Sequence, residues 1–172
     1  MMDRYTFDAY QTPTADRVNI KRKAADFCDR DDGWFYISGR SGSGKSHICV
    51  AICAKLIHEG HDVRFMSWRD DSTAIKATVT DAPTYEAEIK KLKTVDVLYI
   101  DDFFKGGCSL ADVRLAFEIL NARYLNSKLR TIISTEMEMQ ELLSCDEALG
   151  GRIYERSRGF VLKAPAENWR LK

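Results

Sequence analysis

Apolar and polar positions alternate along this chain in two rhythms. Short apolar runs at Trp34–Ser38, Val63–Ser67, Val95–Ile100, Thr131–Ser134 and Phe160–Lys163 read as buried strands. Between them apolar residues recur at helical spacing, most clearly Val113, Ala116, Phe117, Leu120 and Tyr124, a stripe that puts one helix face on a core. Ser109 stands as the cap of that helix, with Asp112 in the capping-box position. Further helices are predicted from about Lys45 to His58, around Met139–Leu143 and over Glu147–Arg156. The polar stretch from Arg69 to Lys93, broken by Pro83, predicts two short ones. Upstream, Tyr5 to Tyr10 has an extended-looking pattern, and Thr14 to Cys28 returns to helical spacing. Strand and helix in alternation predict a parallel sheet with helices on both faces.

Length narrows this to one domain, because 172 residues suffice for a single sizeable core and fall short of two. Residues 1–172 are read as an N-terminal segment to residue 30 and a core over 31–172. The 26 basic and 26 acidic side chains cancel. That excludes a protein that coats polyanions through overall charge and restricts any nucleic-acid contact to a local patch. No apolar stretch is long enough to span a bilayer, and the N-terminal sequence has no signal-peptide character, so the chain reads as cytoplasmic. The five cysteines (28, 49, 53, 108, 145) agree, being odd in number, scattered and without C-x-x-C spacing. Cys49 and Cys53 sit four apart on one predicted helix with nothing nearby to complete a metal site, and they read as buried thiols. His47, His58 and His61 form no ligand cluster.

The chemistry concentrates in two places. Gly39-Arg40-Ser41-Gly42-Ser43-Gly44-Lys45-Ser46 fits the pattern G-x-x-x-x-G-K-[ST] between a predicted strand and a predicted helix, with His47 directly after it. Glycines let successive N–H groups turn onto phosphate oxygens, Lys45 brings a cation to the β/γ-phosphates, and Ser46 offers a hydroxyl to Mg²⁺. The helix that follows points its positive end at the same anion. ATP or ADP with Mg²⁺ is the expected ligand. The second place is Asp101-Asp102, where the most apolar strand leaves the sheet at the ligand-binding edge of such folds. One carboxylate suits Mg²⁺, and the other suits an attacking water.

These residues and those that follow resemble the AAA+ ATPases, and more narrowly the bacterial and phage helicase loaders of DnaC and DnaI type. GRSGSGKSH is similar to their Walker A motif, VDVLYIDDFF to Walker B, TIISTE to the sensor 1 strand, DEALGGRIYERS to their arginine-bearing box and ENWRLK to their tail. The resemblance implies a three-layer P-loop fold with a five-stranded parallel sheet in the order 5-1-4-3-2. It implies an ATPase with Asp101 on Mg²⁺, Asp102 as the catalytic acid, and Arg152 as an arginine finger that reaches the nucleotide of a neighbouring copy. Arg156 and Arg158 are lesser candidates for the finger, and Arg170 is a candidate sensor 2 arginine. A replicative helicase and single-stranded DNA are the implied partners, with self-association through the finger.

Three departures stand out. Asp102 occupies a place where glutamate is usual, which implies slow hydrolysis. Ser134-Thr135-Glu136 has an acid where asparagine is frequent, leaving Thr135 to orient water. The N-terminal helicase-gripping domain of the loaders is expected to be absent. For DNA, Lys76, Lys90, Lys91 and Lys93 add charge before the second strand of chemistry, and Phe103-Phe104-Lys105-Gly106-Gly107 adds aromatics after it. Other readings are a transposition accessory ATPase, a small-molecule P-loop kinase, and an assembly module that binds ATP and scarcely cleaves it.

Overall fold

A computed structural model describes residues 4–168. Helix α1 (Ala15–Cys28) precedes a regular alternation: β1 (Trp34–Ser38), α2 (Lys45–His58), β2 (Val63–Ser67), α3 (Trp68–Ala77), α4 (Ala82–Thr94), β3 (Val97–Phe103), α5 (Leu110–Leu125), β4 (Arg130–Thr135), α6 (Met139–Cys145), α7 (Glu147–Arg156) and β5 (Val161–Lys163). The five strands are parallel and ordered β2-β3-β4-β1-β5, which is the expected 5-1-4-3-2 taken from the other edge. The fold is an α/β domain with its parallel sheet between two helical layers.

Each face of the sheet has its own core. Ile48, Ile52 and Leu56 of α2 join Phe27 of α1 and Phe35, Tyr99 and Ile132 of the sheet on one side. On the other, Leu115, Ile119 and Leu120 of α5 meet Tyr36, Leu98, Ile100 and Ile133, along with Leu149 and Ile153 of α7. Because both faces are covered, β1 and β4 are buried along their whole length, as continuous apolar runs in a parallel sheet demand.

Local chemistry sets the helix ends. The capping box of α5 forms as the sequence predicts, Ser109 accepting from the Asp112 amide while Asp112 accepts from Ser109. Pro83 does not break a helix. It lies in the first turn of α4, where its missing N–H costs nothing, behind the Asp81 cap. The segment from Tyr5 to Tyr10 is not extended; it turns tightly, with the Tyr10 amide donating to Thr6 O. Cys108 and Cys145, two of the five cysteines read as scattered, form a disulfide that joins the β3–α5 connection to the end of α6. Cys28, Cys49 and Cys53 are buried thiols.

The sheet end where β3 and β4 begin is fastened by Arg123 of α5, which is fully buried. Its guanidinium donates to the carbonyls of Leu92, Val95, Asp96 and Arg130 and to the Thr131 hydroxyl.

Candidate nucleotide site

The β1–α2 connection curls around a space that side chains leave open. Gly42 and Gly44 have φ of 78° and 93°, a left-handed backbone that glycine adopts without strain. A Cβ at residue 42 would stand 2.1 Å from Asn168 Oδ1, the movable end of a side chain, so the backbone conformation rather than space calls for glycine there. Gly44 caps α2 and offers no side-chain acceptor, so the first-turn amides remain available to an anion. Lys45 is folded onto its own loop, with Nζ donating to Gly39 O at 2.7 Å and Arg40 O at 2.9 Å. Burial holds its ammonium below the ordinary lysine value, opposed by the negative charges of Asp102, Glu136 and Asp101.

Asp101 and Asp102 reach the same cleft because the strand that carries them is irregular. Successive strand side chains point to opposite faces, which would separate the two carboxylates. The β3–β4 ladder pairs Ile100 with Ile133 and resumes at Phe103 with Thr135, so two residues of β3 stand against Ser134 alone. Asp102 takes the extra place with φ of 53°. Such a bulge re-aims side chains, and both aspartates line one cleft with Lys45 and Ser46.

Asp101 Oδ1 accepts from Ser46 Oγ at 3.1 Å and from the Tyr99 hydroxyl at 2.8 Å, and the Ser134 hydroxyl closes on the same oxygen. Ser46 and Asp101 thus present two hard oxygen atoms side by side, a donor pair that fits Mg²⁺ completed by phosphate oxygens and water. Asp102 Oδ2 instead receives Lys105 Nζ at 2.9 Å, and the same ammonium lies 3.4 Å from Glu136 Oε1. The hydrogen bond to Asp102 raises the Lys105 ammonium above its ordinary value.

Other expected residues have different surroundings. The Thr135 hydroxyl donates to Phe103 O at 2.7 Å and accepts from the Met137 amide at 3.0 Å. It is committed to the backbone at the bulge rather than directed at a water, and Ser134 is the residue of this strand that touches Asp101. Arg152 lies away from the cleft, its guanidinium 4.8 Å from the Phe117 ring and 5.5 Å from that of Tyr124, donating to Ala148 O. The two glycines before it differ in function. A Cβ on Gly150 would meet Leu143 at 3.0 Å, so the α6–α7 crossing needs glycine there, whereas Gly151 faces open space. Arg156 donates to Ser127 O, and Arg158 is exposed. Arg170 lies outside the described residues.

The DNA patch read from sequence does not assemble. Phe103 and Phe104 are buried and stacked at 4.0 Å, with Trp68 edge-on to both. Lys76, Lys91 and Lys93 are paired with Asp112, Glu88 and Glu118. Lys90 is exposed.

Three contacts escaped the sequence reading. Arg17 of α1 donates to Ser43 O at 2.9 Å and braces the phosphate loop. The N-terminal segment sits on the first turn of α2, where His47 Nε2 lies 2.9 Å from Thr6 O and the Tyr5 and Tyr10 rings meet the imidazole edge-on. Lys105 enters the cleft lined by the phosphate loop and the two aspartates. Only the last carried a signal, being a lysine three residues beyond a carboxylate.

Known proteins share the sequence and fold that carry this cleft. The family model described as IstB-like ATP binding protein matches residues 2–167. The phage-like element PBSX protein XkdC of Bacillus subtilis is 35% identical over 130 residues, covering 72% of this chain and 47% of that protein. The replicative helicase loader DnaC of Escherichia coli K12 is 29% identical over 157 residues, covering 89% of this chain and 62% of that one. In fold, the chain matches a crystal structure of the DnaC helicase loader with a TM-score of 0.84 at 21% identity, covering 95% of this chain and 98% of that chain. The chain spans about half the length of the curated relatives it matches.

Proposed function

We propose that this chain, which belongs to the family of IstB-like ATP-binding proteins, binds and hydrolyses ATP in assemblies where one copy completes the site of the next, as a helicase-loader-like protein of DNA replication. The observation that carries the reading is the bulge at the end of β3, which turns Asp101 and Asp102 toward Lys45 and Ser46 in one cleft.

In this reading the triphosphate displaces Gly39 O and Arg40 O from the Lys45 ammonium, and the α2 amides take the β-phosphate. Ser46 and Asp101 would hold Mg²⁺, which when bound offsets the phosphate charge. Asp102 accepts the proton of the attacking water. Arg152 is stored on the α5 aromatics in the isolated chain, 4.8 Å from the Phe117 ring. Facing a neighbour's nucleotide, its planar fork would stabilise charge on the transferring phosphoryl group. A replicative helicase as partner and single-stranded DNA as ligand enter from the helicase-loader likeness alone.

Mixing separates this from a self-contained ATPase or kinase. Activity per subunit should rise with protein concentration, and Arg152→Ala should abolish the rise while sparing ATP binding. Adding an Asp102→Asn variant to the Arg152→Ala variant should restore part of the activity, since each supplies the half-site the other lacks. Flat activity per subunit and a dead mixture would remove the shared-site reading.

The Lys105–Asp102 ion pair favours a second reading, a module that binds ATP, assembles and scarcely hydrolyses it, because the carboxylate needed for water is already engaged. Turnover measured with and without single-stranded DNA decides between the two.

A further inference from the structure

Lys105 holds a place that an ordinary surface lysine does not. It follows the carboxylate pair by a few residues and lines the same cleft as Gly42, Lys45 and Ser46. Its backbone is fixed from both sides. The Lys105 amide donates to Asp102 O at 3.0 Å and the Gly107 amide to Phe104 O at 3.0 Å. The turn is anchored by the buried pair Phe103 and Phe104 against Trp68. Gly106 and Gly107, at φ of 91° and 116°, take a backbone conformation that glycine adopts without strain.

The side chain, by contrast, can move. It is about one-third exposed (34%), as is Asp102 (35%), and its partners are two carboxylates at 2.9 and 3.4 Å. A pair exposed to this degree is held weakly, because water and side-chain entropy oppose it. Lys45 already experiences the positive charge of Lys105 across the cleft together with the negative charges of Asp102 and Glu136. The two ammonium groups therefore share one electrostatic neighbourhood.

We propose that Lys105 is a positioning residue that reads the γ-phosphate: it pairs with Asp102 and Glu136 when the cleft is empty or holds a diphosphate, and exchanges them for the terminal phosphate of a triphosphate. The inference rests on the phosphate-cleft reading above and deepens it. A terminal phosphate offers more negative charge than one carboxylate, and a flexible lysine arm follows the stronger partner. The exchange leaves Asp102 without a counter-ion and free to accept a hydrogen bond from water. Lys105 thereby links recognition of the triphosphate to release of the carboxylate that needs it. A diphosphate lacks the group that draws Lys105 away, so Asp102 stays paired.

The test is calorimetry with Mg²⁺ and two probes, β,γ-methylene-ATP and ADP, on the unaltered protein and on Lys105→Gln, Lys105→Arg and Asp102→Asn. Loss of one charge-assisted contact should weaken the ATP analogue about tenfold in Lys105→Gln, with ADP affinity changed less than about twofold. Lys105→Arg should restore most of the difference. Asp102→Asn should tighten the analogue relative to ADP, since it removes the nearer of the two competitors for the ammonium. Equal weakening of both nucleotides in Lys105→Gln, or no change in either, overturns the inference and leaves the phosphate cleft standing. Failure of the unaltered protein to bind either nucleotide overturns the cleft reading and this inference with it. Should Lys105→Gln not fold, Asp102→Asn decides alone, and an unchanged analogue-to-ADP ratio overturns the proposal.

Discussion

Arg123 and Lys45 are both buried cations that donate to backbone carbonyls, yet they stand at opposite ends of the sheet and do opposite things. Arg123, at the end where β3 and β4 begin, has five acceptors around its guanidinium. Lys45, at the end where β1 leaves the sheet, has two, both from the loop it belongs to. Burial acts on both, holding Lys45 below its ordinary value and pulling Arg123 down to about 9. Removing a charge from water is costly in either place. At Arg123 the cost is offset by a complete set of fixed partners, and the group is locked. At Lys45 the set is incomplete and replaceable, so a better anion can take over. Completeness of hydrogen bonding, rather than burial, separates the locked cation from the replaceable one.

The sharpest way to break the contrast is at Arg123. Arg123→Met should leave four carbonyls and a hydroxyl without their donor and cost about 3 kcal/mol or more in denaturant unfolding, with little change in nucleotide affinity of the folded fraction. Asp102→Asn should retain ATP in binding measurements while lowering steady-state turnover about a hundredfold, the smaller end of what a positioned base contributes. A variant that turned over normally would remove Asp102 from the chemistry. Lys45→Ala should weaken ATP by about thirtyfold in calorimetry, the loss of contacts from one charged group, and leave the unfolding midpoint nearly unchanged. If stability fell as it does for Arg123→Met, the contrast would fail. Thr135→Val is the mildest, costing about 1 kcal/mol of stability for its lost hydrogen bond to Phe103 O, with turnover unaltered. A large loss of turnover there would restore Thr135 as the residue that orients water.

What the sequence made legible was whatever depends on periodicity or on a contiguous motif. β1, α2, β2 and α7 stand where apolar spacing places them, and the phosphate loop lies between strand and helix as its pattern requires. The start of β3 was misjudged because Val95 is apolar yet serves as the C-cap of α4, its amide donating to Lys91 O. Apolar count cannot tell a cap from a strand. Phe103 and Phe104 looked available for stacking on bases, and only the packing of Trp68 shows them to be core. The bond between Cys108 and Cys145 spans 37 residues and leaves no local pattern. Arg123 reads as an ordinary helix arginine with nothing in spacing to mark it as a staple, while Lys105 has only its place three residues beyond a carboxylate to hint at the ion pair it makes with Asp102.

The bulge in β3 fixes the length of the segment that holds it. Ladder pairing is regular on both sides of it, Ile100 with Ile133 before and Phe103 with Thr135 after. The stretch is therefore defined by how many residues it holds more strictly than by which ones. A change of side chain at residue 102 alters the chemistry and leaves the frame intact. Deleting that residue would let β3 and β4 run residue for residue from Ile100 to Phe103, with Phe103 still opposite Thr135, and would remove the bend that brings a second carboxylate into the cleft. The segment should accept many letters and no change in length.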